Sequence, residues 1–288
     1  MRIQKVTLPL AGVALIAAVA GCAPTDSASD AATPSASLSC SPADLKTKTA
    51  NTLTVGTDKP AYPPWFVDDK PSNGKGLESA VAYAVAKQLG YTQDQVKWVT
   101  ASFNSVIQPG AKSFDVDINQ FSITDERKKA VDFSSGYYDV TQAVITTKGS
   151  EADGVTTLAG LQALKLGAQV GTTSYKAITD QIKPTQTPAV FDDNDKAKLA
   201  LKNGQVDALV VDLPTGLYIT AAELDDGLVV GQLENTTGTP EQFGMVLEKG
   251  SSLTPCVSQA VDTLRSNGTL AQLADTWLAQ GAGAPVLK

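Results

Sequence analysis

An α/β architecture in two domains, each a mainly parallel sheet covered by helices, is what this chain predicts, and three observations carry it. Its 288 residues match two domains at roughly 100–200 residues each. Hydrophobic residues make up 42% and charged residues 18%, which supplies sizeable cores, while the mean hydropathy of −0.05 is far from that of a polytopic membrane protein. From about residue 52, strand-like runs alternate with helical periods, the pattern of βαβ units.

The first segment stands outside that alternation. MRIQKVTLPLAGVALIAAVAGC opens with Arg2 and Lys5, runs apolar from Val6 to Ala20 and ends in small residues. That is the layout of a secretory signal, placed at residues 1–21, and its apolar run is shorter than the roughly 20 residues a spanning helix needs. Val19-Ala20-Gly21-Cys22 resembles a bacterial lipobox, in which Cys22 is lipidated and becomes the mature N-terminus; the alternative is a plain signal peptide with an incidental cysteine. APTDSASDAATPSASLS follows, small and polar with scattered proline. It has too little apolar surface to offset its ordering entropy, so residues 22–50 read as a lipidated end and flexible tether. Of the three cysteines, acylation of Cys22 leaves Cys40 and Cys256 as an even pair. A disulfide between them is expected in an oxidising compartment; two free buried thiols are the alternative.

LTVGT (53–57) reads as a short buried strand. GLESAVAYAVAKQLG (76–90) reads as a helix, with Leu77, Val81, Ala84, Val85 and Leu89 at helical spacing and Gly90 as its stop. VKWVT (96–100) is a strand, a helix near 103–112 is weakened by Pro109-Gly110, DVDINQF (115–121) is the next strand, and DERKKAVDF follows it. A second block opens with AVITTK (143–148). Helix, strand, a tight Gly-Thr-Thr-Ser turn and helix then occupy 156–182. Helix, strand and a Pro-initiated helix occupy 193–220, and LVVGQ (228–232) is a further strand. The last stretch reads as one strand and two amphipathic helices like those covering the first block. The chain is therefore expected to build one lobe from 51–140 and 241–288 and the other from 141–240.

The net charge is −7, and removal of Arg2 and Lys5 with a leader makes it more acidic. No basic run or basic-aromatic interleaving appears, which argues against nucleic acid as a partner.

Seven stretches in order, VGTDKPAYPPW, GLESAVAYAVAKQLG, SFNSVI, FDVDINQFSITDERKKAVDFSSGYY, LGAQVGTTS, GQVDALVVD and FGMVLEKGSSLTP, resemble the polar-amino-acid class of bacterial solute-binding proteins that serve ABC importers. The resemblance spans about residues 50–280. It implies two α/β lobes joined by two crossover strands, a two-lobe periplasmic-binding-protein-like fold of type II, with ligand clamped in the cleft. The implied partners are a small-molecule amino acid and the permease and ATPase subunits. No cofactor is implied, and the protein is expected to be a monomer held on the outer face of the membrane by its lipid alone.

A free amino acid offers a carboxylate, an ammonium and a side chain, and each charge must be paired when buried. The planar guanidinium fork suits the carboxylate. The resemblance places it at Arg127 after Ser-Ile-Thr and has backbone N–H groups share the carboxylate, with Ser122 at the position of one such donor and Thr173 contributing from a helix start that favours anions. Asp212 ends the apolar strand ALVVD, where α/β ligands commonly bind, and matches the family's ammonium-binding acid; capping of the following helix is the alternative. Tyr62 and Phe103 match the aromatic pair around the ligand's side chain, and Trp65 lies where an aromatic often helps close that wall. Asp58 matches a residue that can read the far end of the side chain, or else stabilises a turn. Asn119 and Gln120 stand where many relatives carry Ser, Gly or Ala, so they are candidates for what distinguishes the ligand. Asp117 interrupts a strand that is usually apolar throughout.

An enzyme on the same fold, such as a dehydratase of a cyclic carboxylic acid, is the second reading. It needs a positioned acid or base, and the chain contains 0 histidines, so no Ser-His, Cys-His or Cys/His metal pattern exists; only a carboxylate could serve. A sensor that binds an amino acid but signals through a separate partner is the third.

Overall fold

The computed structural model describes residues 39–235, 238–278 and 284–288. The signal segment, Cys22 and most of the expected tether lie outside the described residues.

The first sheet has the order β2-β1-β3-β10-β4. Strands β1 (Leu53–Thr57), β2 (Val96–Thr100) and β3 (Val116–Asp117) run parallel, and β4 (Val131–Val140) completes this half of the chain. Helix α1 (Leu77–Gln88) crosses between β1 and β2, burying Leu77, Val81 and Val85 along one face. The second sheet, β11-β9-β5-β8-β6-β7, begins immediately afterwards with β5 (Gln142–Thr147). It continues with β6 (Leu166–Gln169), β7 (Ala189–Phe191), β8 (Ala208–Asp212) and β9 (Gly227–Leu233). The chain then returns as β10 (Glu241–Glu248), antiparallel to both β3 and β4. Two crossings thus join the sheets, at Thr141 and between Leu233 and Glu241. Helices α7 (Thr254–Ser266) and α8 (Thr269–Trp277) pack back on α1.

Several elements differ from the sequence expectation, each for a local reason. The helix expected over 103–112 closes after Phe103–Val106, here α2, because Pro109 lacks an N–H and Gly110 takes φ +113°. The strand expected over 115–121 keeps its ladder only at Val116–Asp117; Gln120 turns left-handed at φ +47° and swings the chain out of the sheet. The final strand, β11 (Val286–Leu287), pairs with β9, so the C-terminal end joins the second sheet and not the first lobe. The segment to residue 50 is not all tether. Cys40 is bonded to Cys256, with Cα atoms 5.5 Å apart, Leu45 packs against the first core, and Lys48 N–H donates to Asp115 at 2.7 Å. The expected disulfide is present.

Asp117 is seated by its neighbour in register, Gly56 on β1. A Cβ on Gly56 would fall 2.2 Å from Asp117 Oδ2, so only glycine leaves room for that carboxyl inside the core.

Candidate functional site

The sheets face each other across a closed cleft that holds a cavity of about 50 Å³. Arg127 reaches it from the single 3-10 turn Arg127–Lys129 and is only 8% exposed. Its guanidinium carbon lies 5.5 Å from the Phe103 ring centre and 5.9 Å from that of Phe121, and those two rings stack at 4.6 Å. The π faces favour the cation and fix the plane of the fork. NH1 donates to the Ser122 carbonyl at 2.8 Å, and NH2 donates across the cleft to the Gly171 carbonyl at 2.9 Å. A guanidinium carries five N–H donors, so donors remain for an anion in the cavity. Burial lowers the Arg127 pKa while Glu241 and Asp212 act the other way; it remains a cation.

Asp212 faces Arg127 from the end of β8. It does not act as a side-chain cap for α6 (Leu213–Tyr218), so the capping alternative is not realised. Its Oδ1 instead accepts from Gln142 Nε2 at 2.8 Å. Seclusion from bulk water and the nearby Glu241 charge push its pKa up to about 8, against the lowering effects of the Gln142 hydrogen bond and Arg127. A carboxylate held in that state gains most from an arriving ammonium.

Thr173 lines the cavity as the first residue of α4 (Thr173–Ala177), while Thr172 is the cap, accepting from Tyr175 N–H at 3.1 Å. Gly171 precedes them with φ +75°, a backbone that favours glycine, and a Cβ there would lie 2.8 Å from the side-chain Oδ1 of Asn104 in the other lobe. Tyr62 and Phe103 form walls, and Asp58, Asn119 and Gln120 line the same space. Asp58 also stabilises the local turn: its Oδ1 accepts from Lys59 N–H at 2.7 Å and its Oδ2 from Phe103 N–H at 2.9 Å.

Two expected residues keep their side chains off the cavity wall. Ser122 is 1% exposed and lies off the cavity wall, its Oγ 3.1 Å from Thr173 Oγ1 and its carbonyl on Arg127. It joins the lobes behind the clamp. Trp65 is fully buried in the first core, edge-on to Tyr138 and Phe243. Its indole Nε1 donates to Thr215 Oγ1 on α6 at 2.9 Å, so it ties the lobes together instead of walling the ligand.

A family model for bacterial extracellular solute-binding proteins, family 3, matches residues 53–280. The chain belongs to that family. The L-cystine-binding protein TcyJ of Escherichia coli is 30% identical over 248 residues, covering 84% of this chain and 87% of the relative. An L-arginine-binding protein of Pseudomonas aeruginosa is 28% identical, covering 78% of this chain and 90% of the relative. Among solved structures, an ancestral arginine-binding protein bound to arginine superposes with TM-score 0.65 at 32% identity, covering 80% of this chain and 99% of that one. The ancestral amino acid-binding protein AncCDT-1, a precursor of cyclohexadienyl dehydratase, gives 0.66 at 30% identity, covering 80% and 96%. The fold is accordingly the two-lobe type II periplasmic-binding-protein fold. These curated relatives bind amino acids, as does an ABC transporter glutamine-binding protein of Bacillus subtilis, the family is one of extracellular solute-binding proteins, and no helix among the described residues is long and apolar enough to cross a membrane.

Sequence reasoning missed three parts of this solute-binding protein's site. Asp193 and Asn194 line the cavity from the start of α5 (Asn194–Lys202). Burial, then the Asp195 and Asp193 charges of the second lobe, push the pKa of first-lobe Tyr62 up, and its hydroxyl is buried without a hydrogen-bond partner among the described residues. Asp193 caps α5, accepting from Lys196 N–H at 2.8 Å; nothing local says that it also lines the cavity. Gln142, 5% exposed, joins the two crossings. Its Nε2 lies on Asp212 and 3.2 Å from Glu241 Oε2, and its Oε1 accepts from Ser174 at 2.6 Å. Glu78 is the third.

Proposed function

We propose that this chain is the substrate-binding lipoprotein of an ABC importer. It is anchored through Cys22, acts as a monomer, and captures a polar amino acid by closing its lobes before passing it to the permease. One observation carries the reading: Arg127 and Asp212 face each other across one cavity from opposite lobes, a guanidinium and a carboxyl group set for the α-carboxylate and α-ammonium of one ligand. Holding one ligand between groups on two lobes makes binding favour the closed state. The ten site residues named from sequence divide in this reading. Arg127 and Thr173 hold the carboxylate, Asp212 the ammonium, and Tyr62 and Phe103 the side chain. Asp58, Asn119 and Gln120 meet its far end, and Ser122 and Trp65 support closure. Asp58 and Asp193 give the far end an acidic character that Lys59 only partly offsets, which favours a cationic or multiply donating side chain.

Calorimetric titration of the chain with the twenty amino acids tests this. Heat with at least one of them, lost on Arg127→Ala, is the expected result; no heat with any refutes it.

A dehydratase is the second reading, favoured by the raised pKa of Asp212, which could act as a general acid, and by the likeness to AncCDT-1. Turnover of a cyclic, prephenate-like acid, abolished by Asp212→Asn, would establish it over transport.

A further inference from the structure

Beneath the cavity lies a carboxylate outside the cavity lining. Glu78, near the start of α1, is 0% exposed. Protein donors converge on it, and none is a cation. The Gln120 backbone N–H donates to Oε1 at 2.6 Å, the Tyr137 hydroxyl donates to the same oxygen, and the Gln120 side-chain Nε2 donates to Oε2. Gln120 itself lines the cavity and holds a left-handed backbone, φ +47°, which a residue with a Cβ seldom adopts unless its surroundings impose it. The paired hydrogen bonds from one residue to one carboxylate impose it here.

A primary amide is two-faced: its oxygen accepts and its nitrogen donates. With Nε2 turned onto Glu78, Oε1 is the end left for the cavity, and no donor among the described residues reaches it. We propose that Glu78 is a positioning residue that fixes the Gln120 amide with its oxygen toward the ligand. The cavity floor thereby favours a donating group, an ammonium, guanidinium or amide NH₂, over a carboxylate. This rests on the ligand-binding reading above and assigns to that site a selector that the ligand does not touch.

The orientation is reversible by chemistry. A protonated Glu78, or glutamine in its place, donates from the position where the carboxylate accepted, and the Gln120 amide turns over to offer NH₂ to the cavity. The titratable groups around Glu78 are Tyr137 on β4, Asp117 on β3 and Asp212 on β8. Burial pushes the Glu78 pKa up to about 7, against its lowering by the Tyr137 and Gln120 hydrogen bonds. Oxygen-out therefore prevails above neutrality and nitrogen-out below it.

Two readouts test this on the ¹⁵N-labelled full chain. The first is the Gln120 side-chain amide resonance, identified by its loss in Gln120→Gly, a variant suited to the left-handed backbone. One amide proton should lie far downfield at pH 8.5 and move upfield at pH 5.5 or in Glu78→Gln. The second is the ratio of affinities for L-glutamine and L-glutamate, near-isosteres differing at the selecting end. Glu78→Gln should lower the preference for L-glutamine about ten-fold or more, the scale of one reversed buried hydrogen bond, and Gln120→Gly should erase its pH dependence. A purely structural Glu78 would weaken both ligands equally. An unchanged ratio, or an amide resonance blind to both pH and Glu78→Gln, overturns the proposal. If neither amino acid binds the wild-type chain, the amide resonance alone decides it.

Discussion

Asp117→Asn is expected to make this protein more stable at neutral pH. Asp117 is fully buried, and neither carboxyl oxygen has a hydrogen-bond partner. Burial foremost, then the Glu78 and Asp58 charges, push its pKa well above 3.8, with Lys112 the only named opposing influence. The sign follows from linkage. A group that holds its proton more tightly when folded costs nothing below its unfolded pKa and destabilises increasingly as pH rises, until the folded pKa is reached. The slope is about 1.4 kcal/mol per pH unit. The cost therefore accumulates from 3.8 upward at that slope for as long as the folded group keeps its proton. Asparagine keeps the shape over Gly56 and has no charge to suppress, so it escapes the cost. Urea unfolding of both proteins at pH 5, 6 and 7 measures the difference. The gap should widen with pH, by at most about 1.4 kcal/mol at each step; a constant gap, or a less stable Asn variant at pH 7, refutes the reasoning.

Other outcomes follow from the same geometry. Asp212, with its pKa near 8 in the closed cleft, is neutral at pH 7 and must ionise to hold an ammonium. Amino acid binding should therefore release a proton below pH 8 and strengthen as pH rises from 6 to 8. Titration in buffers of different ionisation heat detects it, and Asp212→Asn abolishes it. Trp65→Phe and Thr215→Val should each weaken binding several-fold, about 1 kcal/mol for one hydrogen bond, and the double variant should be no weaker than either. Additive losses in that cycle would mean the two residues do not act as one tie. Replacing Cys40 and Cys256 by serine opens a loop of sequence separation 216, which should cost about 3–5 kcal/mol and lower the melting temperature without altering ligand preference.

How much of this was legible in one dimension follows from the range of each interaction. Strands β1 and β2 fall where apolar runs bounded by turn residues put them, and α1 where the helical spacing of Leu77, Val81 and Val85 demands. Those signals are carried by neighbours a few residues apart. The Ser-Ile-Thr turn before Arg127 and the apolar strand ending in Asp212 mark those residues as motif positions of the family, so both could be named as candidates without coordinates, and both line the cavity.

Tertiary structure decided what depends on distant partners. Trp65 read as a wall because wall and core aromatics look alike in sequence; its donor bond to Thr215, 150 residues on, makes it a tie between lobes. Asp193, which the sequence reading did not single out, caps α5 and also lines the cavity. Gln142 carries no motif, and its place between Asp212 and Glu241 exists only because both crossings meet there. Asn119 and Gln120 were visible as unusual, but not why a glutamine tolerates a left-handed backbone. By itself the sequence determined the two α/β lobes, since periodicity and turn chemistry are local, and the family resemblance named Arg127 and Asp212, which the fold brings to one cavity. The orientation of the cavity floor was decided by Glu78, which approaches Gln120 across 42 residues, through a buried contact that no short-range pattern encodes.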